Sequence, residues 1–167
     1  MTYQDFTLKA RLYERVAVEQ QLLALGFTYI GLDAQRDTYF RVSQGKLKLR
    51  QGTIENLVTH YERLPDKSTE KTVVYQYDLN PSSQQITGLY AAHEVVGVVE
   101  KSRRIYRLAN VKIHLDTMAT GEEFLEIEVF DHTNQLPARE LEARCHQVLA
   151  SLGIATEALL PTGYFKQ

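Results

Sequence analysis

Cysteine is almost missing from this sequence of 167 residues. Cys145 stands alone, which excludes an intrachain disulfide and any zinc site built on several cysteines. A single thiol agrees with a reducing compartment. No run of about 18 apolar residues occurs, and no basic leader with an apolar core opens the chain. The expectation is a soluble cytoplasmic protein with no membrane partner. Net charge is only −2, so bulk electrostatics gives no reason to expect nucleic acid as a partner either. Repeats, linkers and low-complexity tracts are absent, and one domain over 1–167 is expected.

What is present is an ordinary globular composition, 44% hydrophobic and 24% charged, with unevenly placed cations. Arg41 to Arg50 holds four cations and no acid, and Lys101, Arg103, Arg104 and Arg107 form a second cluster. Concentrated cations in a near-neutral chain suggest a local anion site.

The order of elements reads as α+β. "DFTLKARL" alternates as a strand, and "YERVAVEQQLLALGF" has helical spacing, with Val16, Leu22, Leu23 and Leu25 sharing a face and Gly26 stopping it. "RDTYFRV" and "KLKLRQ" form a hairpin around Ser43 to Gly45, "NLVTHYERL" is a third strand, "PDKSTEK" a loop and "TVVYQYDL" a strand. A helix is expected over "SQQITGLYAAHEV", then strands over "VGVVEKSRRIYRL", "VKIHLDT" and "EFLEIEVF", then a helix over "PARELEARCHQVLASLG".

Within the strands, parity segregates charge. Successive side chains point to opposite faces, so Lys46, Lys48 and Arg50 share one face and Leu47 and Leu49 the other. Tyr61 with Arg63, Lys101 with Arg103, His114 with Asp116, and Glu126 with Glu128 repeat the pattern. Two arrangements satisfy it. One is an open antiparallel sheet with a wet face of cross-strand ion pairs. The other is a closed barrel with a charged interior and an apolar exterior packed on helices. Buried charges cost several kcal/mol per ion unless paired or coordinated, a need that a polyphosphate with a divalent metal meets for both signs.

Taken in order, "DFTLKAR", "QRDTYFRV", "GKLKLR", "HYER", "KTVVY", "EKSRRIY", "NVKIHLD", "FLEIE" and the terminal "GY" resemble the CYTH family. That family includes class IV adenylyl cyclases, thiamine triphosphatases and inorganic triphosphatases, and its bacterial cyclase-like branch is the most similar. The resemblance implies a closed antiparallel β-barrel, a triphosphate tunnel, with helices packed outside. It implies Mg²⁺ or Mn²⁺ as cofactor and a small-molecule triphosphate or nucleotide as partner, and it leaves a homodimer open. Position by position, Lys9 resembles the lysine of the opening E-x-E-x-K motif and is the catalytic candidate. Lys48 and Arg50, with Lys46 beside them, match the phosphate-binding L-K-x-R stretch; Arg63 matches the arginine of Y-x-R, and Lys101 and Arg103 the later K-x-R. Asp116, Glu126 and Glu128 match the acidic positions expected to hold metal, while His114 and Tyr164 match recurrent positions without an assigned role.

Two departures stand out. Asp5 and Thr7 occupy the positions of the two opening glutamates, and "TGEEF" replaces a glycine-rich loop before the paired glutamates. Asp5 can replace an acid at shorter reach, whereas the hydroxyl of Thr7 cannot bind a hard metal as a carboxylate does. That loss points to one metal rather than two, slow turnover, or binding alone. Glu122 and Glu123 are the nearest compensating acids.

The leading expectation is metal-dependent hydrolysis of a small organic or inorganic triphosphate. Class IV adenylyl cyclase activity, releasing pyrophosphate from ATP, and a non-catalytic polyphosphate-binding module are the alternatives. His60, His93, His132 and His146 lack ligand spacing, Tyr75 and Tyr77 fit the barrel wall with Lys71 and Thr72 nearby, and Cys145 reads as buried. Arg36 and Asp37 read as a structural ion pair.

Overall fold

The computed structural model describes residues 3–66 and 69–161. Tyr164 and the side chain of Lys71 lie outside what is described. The strands are β1 (Tyr3–Arg11), β2 (Thr28–Phe40), β3 (Lys46–Gly52), β4 (Asn56–Asp66), β5 (Thr69–Leu79), β6 (Val95–Leu108), β7 (Val111–Met118), β8 (Glu123–Asp131) and the short β9 (Leu159–Leu160). Helix α1 (Arg15–Ala24) follows β1, α2 (Ser83–Ala92) follows β5, and α3 (Ala138–Ser151) follows β8.

Eight strands close into an antiparallel barrel in the order β1-β5-β4-β3-β2-β6-β7-β8 and back to β1. The closing seam pairs Asp5 with Thr72 on β5 and Thr7 with Glu128 on β8. β9 continues the β5 edge, opposite Lys9 and Ala10 of β1. Closure leaves each strand an inner and an outer face, and here the usual assignment of polarity is reversed.

The apolar residues lie outside, under the helices. Phe6, Leu8, Ile113, Leu115, Leu125 and Ile127 pack beneath Val18 and Leu22 of α1 and Leu141, Cys145, Val148 and Leu149 of α3. A second layer joins Phe40, Leu47, Leu49 and Val58 to Ile86 and Leu89 of α2. Full burial of each such side chain contributes about 1.5–3 kcal/mol, so the outer layers stabilise a barrel whose lumen cannot. The leucines of "GKLKLR" therefore face a helix, and its cations face inward.

Local chemistry fixes the helix ends. Ser82 caps α2 by accepting from the Gln85 backbone N–H while the Gln85 side chain accepts from the Ser82 N–H. Gly26, at φ +95°, turns the chain out of α1. The buried face of α1 differs from the expected one. Val18 and Leu22, four residues apart, point to the barrel, while Val16 and Leu23 are exposed.

β2 is also longer than "RDTYFRV", beginning at Thr28, and the expected loop "PDKSTEK" is strand at both ends, because β4 and β5 remain paired from Pro65–Glu70 to Asp66–Thr69, while its Lys67 and Ser68 lie outside the described residues. Among the described residues no helix is long and apolar enough to cross a membrane.

Candidate functional site

The lumen-facing parity of eight strands produces one cavity. Six cationic side chains line it, Lys48, Arg50, Arg63, Lys101, Arg103 and Lys112, against five carboxyls, Asp5, Asp37, Glu55, Glu126 and Glu128. They come from distant parts of the chain, and closure alone brings them together.

Two buried carboxylates fix three of the cations. Asp37 accepts from Arg50 through both oxygens, Nε–Oδ1 and Nη2–Oδ2 each at 2.8 Å, and from Lys101 Nζ at 2.7 Å. Burial alone would raise the Asp37 carboxyl, but the charges of Arg50, Lys48 and Lys101 hold it far below the usual carboxylate range. Asp116 grips Arg103 in the same two-pronged way, at 2.7 and 2.8 Å, and Glu126 accepts from the same guanidinium at 3.2 Å. Such planar pairs hold arginines in a set orientation.

The other three are not neutralised in this way. Among the described residues, Lys48, Arg63 and Lys112 have no carboxylate within ion-pair distance. Lys48 and Arg63 lie 5.3 and 5.2 Å from the Tyr61 ring centroid, and Lys112 lies 5.2 Å from that of Phe130. Arg63 Nη1 donates to Thr72 Oγ1 at 3.2 Å, but its buried Nε has no partner among the described residues. Burial, and then the charge of Arg50, push the Lys48 ammonium well below its ordinary range. Burial with Arg50 and Arg103 brings Lys101 down to about 8, against the pull of Asp37.

The acids gather at the β1–β8 seam. Burial, and then the charge of Glu128, raise the Asp5 carboxyl well above its usual range. Burial opposes ionisation of Glu128 as well, but the hydrogen bond from Asp5 and the charge of Lys112 outweigh it. Asp5 Oδ1 is buried without a partner among the described residues. Thr7 sits opposite Glu128 and adds no charge.

An oxygen donor set with an orphaned carboxyl oxygen suits a hard divalent cation. Asp5, Glu126 and Glu128 are the cavity carboxyls of that chemistry on β1 and β8. Asp116 is committed to Arg103 and does not line the cavity. In the present arrangement no three His, Cys, Asp or Glu among the described residues converge as metal ligands.

The remaining sequence candidates are placed as follows. Lys9 shares the inward parity of β1, opposite Glu126, with its ammonium 4.5 Å from the Phe124 ring centroid and outside the cavity lining. Lys46 is half-buried, 5.8 Å from the Tyr39 ring, and also outside the lining. Glu122 is exposed and pairs with Arg11, while Glu123 pairs with Arg15. Cys145 is fully buried, its thiol pushed up by burial.

Sequence reasoning missed Asp37 and Lys112. Asp37 does not pair with Arg36, because neighbours in a strand point to opposite faces. Arg36 lies outside, 4.0 Å from Glu100. Lys112 shares the parity of His114 and Asp116, and that signal was available. Glu55 had none. It is placed by Asp33, whose buried carboxylate accepts from the Ile54 and Glu55 backbone N–H groups and orders the β3–β4 connection.

The CYTH domain family model matches residues 6–164. The fold is similar to that of the PH1012 protein from Pyrococcus horikoshii OT3, at 27% identity, 96% of each chain covered and a TM-score of 0.78. A candidate adenylate cyclase from Vibrio parahaemolyticus matches at 16% identity over 96% of this chain and 94% of that one, with a TM-score of 0.72. A Hippeastrum protein, named a candidate adenylyl cyclase and described as having a dominant triphosphatase activity, matches at 14% identity over 98% and 92%, with a TM-score of 0.61. No curated protein matches the sequence.

Proposed function

The chain belongs to the CYTH family, and on that premise we propose that it is a metal-dependent triphosphatase acting on a small organic or inorganic triphosphate held in the barrel lumen. The observation that carries this reading is the set of half-buried cavity cations Lys48, Arg63 and Lys112, which lack carboxylate partners among the described residues. Three of the six cations lining the cavity have no carboxylate partner among the described residues, and a polyphosphate supplies that counter-charge.

Lys48, Arg63 and Lys112 would bind phosphate oxygens directly. Arg50, Lys101 and Arg103, held in place by Asp37 and Asp116, would present fixed N–H groups to the charge that develops on transfer. Glu126 and Glu128, with Asp5, would hold Mg²⁺ or Mn²⁺, which supplies polarisation of a phosphoryl oxygen. Lys9 would face developing charge at the end of the tunnel where β1 runs past Thr7.

The test is product analysis. Tripolyphosphate incubated with Mg²⁺ or Mn²⁺ should release orthophosphate, and chelation should stop it. Cyclic AMP and pyrophosphate from ATP would replace this reading with a cyclase. Tight binding without turnover under either metal would leave a binding module.

A further inference from the structure

One buried polar group in the lumen takes no part in the ion-pair network. His114 is 6% exposed, lies on β7 opposite Glu126 of β8 and Ile105 of β6, and lines the same cavity as Lys48 and Arg63. Neither Nδ1 nor Nε2 has a hydrogen-bond partner among the described residues. A buried ring left in that state carries a standing cost unless a partner arrives.

The surroundings decide what partner fits. Burial, then Arg103, Lys112, Arg50 and Lys101, drive the imidazole well below its ordinary range. In either protonation state the ring offers an N–H donor. Within the protein the nearby acceptors are engaged elsewhere: Glu126 accepts from Arg103, and Glu128 accepts a hydrogen bond from Asp5. An oxygen acceptor held in the cavity by Arg103 and Lys112 is the natural complement.

We propose that the His114 ring donates a hydrogen bond to a non-bridging oxygen of the bound phosphate chain, orienting that phosphoryl group between Arg103 and Lys112. This rests on the triphosphate reading and adds a directional contact to it. Cations attract any anion, whereas one N–H aimed at one oxygen fixes how the chain lies. His114 is in this sense a substrate-binding residue and moves no proton.

The experiment uses the full-length protein in chelator, where tripolyphosphate binds without turnover. Nitrogen-15 spectra of the imidazoles should show the protonated nitrogen of His114 shifting on saturation. His114→Phe should weaken tripolyphosphate binding by about ten- to a hundredfold. His114→Gln, which keeps an N–H donor, should recover most of that loss at an unchanged melting temperature. If wild type binds but its His114 nitrogens do not move and His114→Phe binds equally well, this inference is overturned while the triphosphate reading stands. Should His114→Phe fail to fold, the wild-type nitrogen shift decides alone. Failure of wild type to bind tripolyphosphate removes both readings together.

Discussion

Asp37 holds two buried cations, Arg50 at 2.8 Å and Lys101 at 2.7 Å, so its replacement measures what internal counter-ions contribute. Asp37→Asn should lower stability to urea by about 3–5 kcal/mol, because Arg50 and Lys101 are left buried without that charge. Tripolyphosphate should restore part of the loss, and an unchanged midpoint would show that the pair is not felt. Lys101 gives a pH signature. Its ammonium is brought down to about 8 in the free protein, and a bound anion returns it toward its ordinary 10.5. Binding then takes up a proton between about 8 and 10.5, so affinity is full below pH 8 and falls above it. Lys48 is depressed by the same causes and shifts affinity in the same direction. Lys101→Arg stays charged and should flatten the decline measured by calorimetry, and an equally steep profile would contradict this assignment. Thr7→Glu should place a carboxylate beside Glu128 and Asp5. Melting temperature should fall in chelator and recover with Mn²⁺, and metal-dependent turnover should rise. An unchanged rate with both metals would argue against Thr7 as the limiting position.

At the scale of the element, alternation in sequence was a faithful guide wherever a helix covers the outer face. Leu47 and Leu49 are buried against α2, so their parity announced β3. The first half of β2 gave no such signal, because Ile30 and Leu32 face outward and remain exposed, and Asp33 and Gln35 are the buried ones. Register carried a second concealment. A bulge in the β4–β5 pairing opposes His60 to Gln76 and Tyr61 to Val74, which leaves Tyr75 exposed while Tyr77 and Thr72 reach the cavity. No local pattern encodes that shift. The β2–β3 turn is legible and testable. Gly45 has φ +70°, and a Cβ there would press on the Tyr61 carbonyl. Gly45→Ala should destabilise by about 1–3 kcal/mol, read as a lower midpoint in chemical denaturation, and wild-type stability would show that the turn adapts.

For the molecule as a whole, charge parity in the sequence allowed two architectures, and closure decides between them. Closure depends on the β1–β5 pairing, which joins residues near position 5 to residues near position 72, and nothing in either strand names the other as partner. The resemblance to a family supplied what local physics could not. Once closed, the barrel has its apolar layers outside under the helices and its charges inside, and the cost of enclosing cations is what the proposed role of the lumen as an anion receptor rests on. The direct measurement is a calorimetric titration of the metal-free protein with tripolyphosphate, repeated on Arg63→Ala. The account predicts one saturable site in wild type and an affinity at least about tenfold lower in the variant at a similar melting temperature. Absence of binding to wild type, or equal affinity in the two proteins, would contradict it.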